Sequence, residues 1–230
     1  MMPDDNDKII RHKPIERINH WAVVICFLFT AISGLGFFFP SLNWFMNILG
    51  TPQLSRILHP FVGTAMFLLF VFMFFRYFHH NFINKEDIKW AKNIGKVLKN
   101  EEAGDVGQYN LGQKGVYWVV TICLLALVVT GVIMWRPYFA DYFPIPVYRA
   151  AILIHSLSAI ALIIMIVVHA YAAIWVKGSV RAMVEGWVTR GWARKHHPLW
   201  YRQLLEKEKQ QKQQQERKTK FYYCCYQTHK

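Results

Sequence analysis

The stretch AAILIHSLSAIALIIMIVVHAYAAIWV, residues 150–176, decides how the rest of the chain is read. It carries no Lys, Arg, Asp or Glu. About 20 apolar residues at ~1.5 Å rise cross a hydrocarbon core of ~30 Å, so the stretch predicts a membrane-spanning helix. Two histidines interrupt it, His155 and His169. Their separation is close to four helical turns at ~100° per residue, which puts both imidazoles on nearly one face, about 21 Å apart along the axis. An imidazole turned to lipid is costly, so ionisable side chains inside a span mark a functional site. Two of them near opposite ends of one helix require a partner at each level.

Composition fits a membrane protein. The chain has 230 residues, is 54% hydrophobic and 16% aromatic, and carries a formal net charge of +13. A soluble domain this basic should be more polar, whereas a small membrane protein with basic cytoplasmic segments combines both features. The basic residues lie outside the apolar runs and form no nucleic-acid motif, so nucleic acid is not expected as a partner. Cys26 and Cys123 sit in apolar runs and Cys224-Cys225 are adjacent near the end, which is no disulfide framework. The absence of a Cys-x-x-Cys-His motif excludes c-type haem attachment. No cleavable signal peptide is expected, because the first apolar run starts late and no small-residue cleavage site follows it.

Four spans are predicted, at about 14–39, 53–79, 114–136 and 149–177, within a domain over residues 14–200. Residues 1–13 form a polar N-terminal segment and residues 201–230 a basic, low-complexity tail. The tail is expected either as disordered chain or as a solvated helix extension. Pro14 suits the first position of a helix, and Thr51-Pro52 reads as an N-cap followed by Pro at the first helical position. Pro60 should bend the second span. His79-His80 reads as a solvated pair at the headgroups. Residues 88–98 carry an amphipathic helical pattern, residues 104–113 are rich in turn formers, and residues 181–192 suggest a further interfacial helix. Nothing in the residues explains the ending, 221–230.

Charge sets the orientation. The N-terminal segment with Arg17, the central loop with Lys114 and the C-terminal region hold 4, 6 and 13 of the 27 Lys and Arg residues, whereas the two opposite loops hold only Arg136 and Arg149. Both termini are therefore expected in the cytoplasm. Trp21, Trp44, Trp118, Trp135 and Trp175 fall at span ends, as interfacial anchors do. This orientation puts His20 and His169 near the cytoplasmic side and His59 and His155 near the outer side. Depth pairs His20 with His169 and His59 with His155. Two histidines per level suit a bis-histidine haem, giving an all-α, four-helix membrane bundle that binds two haems b. Zinc wants three or four ligands, and no Cys, Asp or Glu stands at either level. Helix–helix hydrogen bonding is the ordinary role of a lone intramembrane histidine, and the matched pairs argue against it. Gly34, Gly36 and Gly63 either admit a porphyrin to the backbone or serve small-residue packing.

Arg17-Ile18-Asn19-His20-Trp21 resembles the R-x-N-H-W entry to helix one of the cytochrome b subunits of respiratory formate dehydrogenases and nickel–iron hydrogenases. Gly107-Gln108-Tyr109-Asn110-Leu111-Gly112-Gln113-Lys114 and Leu58-His59-Pro60 are similar to the formate dehydrogenase gamma subunit in particular. The resemblance covers about residues 14–200 with four spans in register and ends near Leu205. It implies two haems b, with His20, His59, His155 and His169 as iron ligands, and a menaquinone site at Asn110, Gly112 and His169. It also implies an iron–sulfur (beta) subunit and a catalytic molybdenum- or tungsten-pterin (alpha) subunit as partners, in the bacterial cytoplasmic membrane. Electrons would pass from outside, through both haems, to quinone near the inside. The cytochrome b subunit of a nickel–iron hydrogenase or other periplasmic oxidoreductase, and a haem-free anchor or small transporter, are the alternatives.

Overall fold

The computed structural model describes residues 7–93, 95, 106–136 and 138–227, with side chains to residue 220. These residues divide into two compact units. One comprises residues 10–82 and 112–188 and contains the membrane bundle; the other comprises the described parts of 1–9, 83–111 and 189–230.

In the bundle, α1 covers Pro14–Phe38, α2 Phe45–Ile48 and α3 Pro52–Tyr77. After α4, Lys85–Lys92, come α5, Leu111–Met134, and α6, Ile145–Trp175. Four of these helices (α1, α3, α5 and α6) are long and apolar enough to cross a membrane. Pro14 opens α1 as expected, and the buried Glu16 carboxylate accepts from the Lys13 amide at 3.0 Å, which satisfies an amide the helix start leaves unpaired. The same carboxylate receives Arg76 Nε at 2.6 Å and so ties the start of α1 to the last turn of α3. Thr51 caps α3 by accepting from the Leu54 amide at 3.1 Å, and Pro52 follows at the first position. The helix runs unbroken past Pro60.

Met66, Phe70, Cys123, Leu124 and Leu162 form the buried core, flanked by Val23, Phe27, Leu127 and Ile166. All four long helices contribute, each at its middle. Ile25, Leu68, Ile122 and Val167 turn their side chains outward, an apolar surface suited to lipid rather than water. Hydrogen bonds close the ends. Tyr117 and Trp118 donate to the carbonyls of Phe74 and Asn81, at 2.9 and 3.0 Å, and the buried Lys114 ammonium donates to the Phe82 carbonyl at 2.8 Å. His79 and His80 are exposed in a short 3-10 turn, as their reading as a solvated pair anticipates.

The interfacial helix expected over 181–192 is instead broken in two. Helix α7 covers only Ser179–Val184, and Gly186 adopts φ +93, which an L side chain resists. A Cβ at Gly186 would also lie 2.9 Å from the His12 carbonyl, and the Gly186 carbonyl accepts the amides of both Arg11 and His12. Short strands at Lys8–Ile10 and Trp187–Thr189 are further departures from the sequence pattern, which shows no strand.

In the second unit, α4 carries the first part of the predicted amphipathic pattern; Ile94, Val97 and Leu98 lie outside the described residues. Gly104 and Asp105 of the turn-rich stretch are also outside them. Helix α8, Arg190–His196, is capped by Thr189, and α9 covers Pro198–Gln227, so the low-complexity tail is helical through residue 227. Buried His197 is bonded through Nδ1 to the Gly107 carbonyl at 2.7 Å, and the Leu199 amide donates to Val106.

Candidate haem sites

His59 and His155 are brought together, as depth pairing anticipates. Their ring centroids are 6.4 Å apart, with planes inclined by 55°. A metal–imidazole bond is about 2 Å and the ring centroid lies ~1.1 Å beyond the ligating nitrogen, so two rings on opposite sides of one iron stand about 6.2 Å apart. The observed separation is close to the spacing two imidazoles would need to hold one metal ion between them.

Each ring is held from behind. Nδ1 of His59 lies 2.7 Å from Ser33 Oγ on α1, and Nδ1 of His155 lies 2.9 Å from Thr130 Oγ1 on α5. Both hydroxyl residues are buried. The next residue is glycine in each case. A Cβ on Gly34 would sit 3.6 Å from His59 Cε1, and one on Gly131 would sit 3.6 Å from His155 Cε1. Phe37 packs edge-on against His59 at 5.4 Å. Of the three glycines singled out in sequence, Gly34 therefore lies beside a candidate ligand. Gly36 instead makes room for Met46, whose Cγ would be 2.8 Å from an added Cβ, and Gly63 faces the Thr30 methyl.

The helices that carry His20 and His169, α1 and α6, are neighbours, and the two imidazoles lie within electrostatic range of one another. His20 is partly buried and its Nδ1 has no hydrogen-bond partner among the described residues; His169 is exposed on α6. Around them the R-x-N-H-W residues bind backbone rather than imidazole. Arg17 Nη1 donates to the Val184 carbonyl, and Trp21 Nε1 to the Met183 carbonyl at 3.2 Å. Both acceptors belong to the end of α7, where carbonyls lack intrahelical donors. Buried Asn19 donates to the Leu69 carbonyl of α3 at 3.0 Å. Nearby His12 is buried, and burial together with the Arg11 charge lowers its pKa to about 4.

Gly112 is the second residue of α5, in the turn where amides lack intrahelical acceptors, and Asn110 immediately precedes the helix. Among the described residues no cluster of three or more His, Cys, Asp or Glu could hold a metal ion, so each level offers two imidazoles, a set suited to haem and too small for structural zinc. Ser33 and Thr130 are site residues that sequence reasoning missed. Their signal is a repeated pattern, Ser-Gly followed by His59 after 26 residues and Thr-Gly followed by His155 after 25.

A family model described as prokaryotic cytochrome b561 matches residues 11–186. The chain is 62% identical over 198 residues to the formate dehydrogenase cytochrome b556(fdo) subunit of Escherichia coli strain K12, covering 86% of this chain and 94% of that one. It is 53% identical over 202 residues to the nitrate-inducible cytochrome b556(Fdn) subunit of the same strain, covering 87% and 93%. To the formate dehydrogenase cytochrome b556 subunit of Haemophilus influenzae it is 52% identical over 201 residues, covering 86% and 84%. The chain belongs to the prokaryotic cytochrome b561 family and, within it, to the cytochrome b subunits of formate dehydrogenases.

Proposed function

We propose that this chain carries electrons from an iron–sulfur subunit outside the cytoplasmic membrane to menaquinone near the cytoplasmic side, while formate is oxidised on a partner subunit that holds a molybdenum- or tungsten-pterin. As a multi-pass cytochrome b of the bacterial inner membrane and a formate dehydrogenase subunit, it serves that enzyme's electron transfer and works beside its catalytic subunits. The observation that carries the finer reading is the His59–His155 pair, two imidazoles at the spacing of axial ligands. In this reading His59 and His155 hold one haem b and His20 and His169 a second. Held by two histidines in this way, each haem would supply single-electron exchange and would leave no open position for oxygen or substrate.

The protein's residues do the rest. Met66, Phe70, Leu124 and Leu162 fill the space between the two levels with apolar side chains and keep water out of it. Arg17, Asn19 and Trp21 fix the start of α1 and with it the position of His20. With Nε2 assigned to iron, His169 retains an Nδ1–H, which we assign to a quinone oxygen, with Asn110 and the Gly112 amide as further donors. The charge asymmetry of the loops supports cytoplasmic termini and quinone protonation from that side, so turnover would build a membrane potential. The domain division that accompanies this reading is residues 1–13, 14–200 and 201–230.

The purified complex tests the reading. Formate should reduce two b-type components, and a menaquinone analogue should reoxidise both. Reduction by hydrogen and not by formate would favour a hydrogenase partner. Formate turnover by this chain without another subunit would contradict the division of labour.

A further inference from the structure

Ser33-Gly34 on α1 and Thr130-Gly131 on α5 make the same arrangement twice, each around one histidine of the neighbouring long helix. A hydroxyl has one proton and two lone pairs. Ser33 Oγ lies 2.8 Å from the Phe29 carbonyl and 3.2 Å from that of Thr30. Thr130 Oγ1 lies 2.6 Å from the Ala126 carbonyl and 3.3 Å from that of Leu127. A carbonyl can only accept, so each hydroxyl proton is committed to its own helix. What remains for the imidazole is a lone pair, and Nδ1 must therefore be the donor. A neutral imidazole with its proton on Nδ1 carries its free lone pair on Nε2. The glycine beside each hydroxyl lets Cε1, the ring atom next to Nδ1, lie against the helix.

Resting on the reading of His59 and His155 as haem ligands, we infer that Ser33 and Thr130 are positioning residues that lock both imidazoles with Nε2 toward the iron and hold that haem at a lower reduction potential than the one at His20 and His169. An acceptor on Nδ1–H makes the ligating nitrogen more basic, and a more basic ligand favours ferric iron. Both hydroxyls are buried, at 0% and 5% exposure, so water does not compete for the bond. His20 has no such acceptor among the described residues. The resulting bias favours electron flow from the His59–His155 level toward the His20–His169 level, the direction the proposed function needs.

The test is potentiometric titration of the purified complex, followed in the visible bands, with haem measured per chain. Ser33→Ala and Thr130→Val should each move one component's midpoint upward and leave the other in place, with a larger shift in the double variant. Ser33→Thr and Thr130→Ser, which keep the hydroxyl, should hold the native midpoint. The component that moves should be the one His155→Ala removes. Haem loss in Thr130→Val with retention in Thr130→Ser would also support the assignment; loss in both would overturn it. Unmoved or lowered midpoints, in a protein that still loses one haem on His155→Ala, would overturn this inference alone. If His155→Ala removed no haem, the ligand reading would fall and the inference with it.

Discussion

The two histidine pairs are built differently although they share a helix. At His59 and His155 the imidazoles themselves are hydrogen-bonded, each Nδ1 to a buried hydroxyl on a different helix. At His20 and His169 the side chains of Arg17, Asn19 and Trp21 donate to backbone carbonyls around the rings, and among the described residues His20 Nδ1 has no hydrogen-bond partner. One level fixes the ring; the other fixes the helix that carries the ring. A group that only passes electrons gains from rigid ligands, because nothing has to enter or leave. A level that must also meet a quinone needs room beside its rings, and His169, to which the quinone is assigned, is exposed on α6. The contrast thus matches the division of labour proposed for the two ends of the bundle.

The largest expected effect is the loss of one whole haem. His155→Ala or His59→Ala should remove the component held at their level while the other remains reducible by quinol, and His20→Ala should remove the other component and leave the His59–His155 one reducible by formate. Redox titration of the three variants checks this. Loss of the same component in His155→Ala and His20→Ala would erase the distinction between the levels. Next in size, Asn110→Ala should leave both components spectrally intact and reducible by formate, yet slow their reoxidation by a menaquinone analogue about tenfold, a loss of ~1.4 kcal/mol of transition-state stabilisation. Unchanged stopped-flow reoxidation would remove Asn110 from the quinone site.

A smaller effect sharpens the picture of the His20 end. His12 falls from an ordinary pKa of 6.5 to about 4 on folding, because it is buried and lies beside Arg11. Between those values the unfolded chain binds the proton more readily than the folded one, so stability falls as pH drops from about 6.5 toward 4. His12→Gln should therefore flatten the thermal midpoint of the detergent-solubilised protein over this range relative to wild type. Parallel pH profiles for the two proteins would mean that His12 is not buried as a neutral ring.

Much of this was legible in the chain because the bilayer imposes strong rules. Long apolar runs without charge gave the four spans, and Pro14 and Thr51-Pro52 marked two helix starts where the structure has them. Histidine depth paired His59 with His155 before any coordinates, since helix rise converts residue number to height. Ser33 and Thr130 escaped notice because a hydroxyl inside a transmembrane helix ordinarily bonds its own preceding turn, and both of these do. Their second bond, to a ring on another helix, depends on rotation of one helix about its axis relative to the other, which a single amphipathic pattern does not fix. The break at Gly186 was missed for a related reason. The amphipathic pattern over 181–192 continues across it, and only the approach of the His12 carbonyl makes a side chain there untenable.

The central claim is that two pairs of histidines hold two haems, and the pyridine haemochrome assay of the purified complex against the amount of this chain tests it most directly. We expect two b-type haems per chain, all extractable by acid–acetone, falling to one in His155→Ala. One haem or none per chain in the native protein would contradict the claim, as would a His155→Ala protein that keeps both.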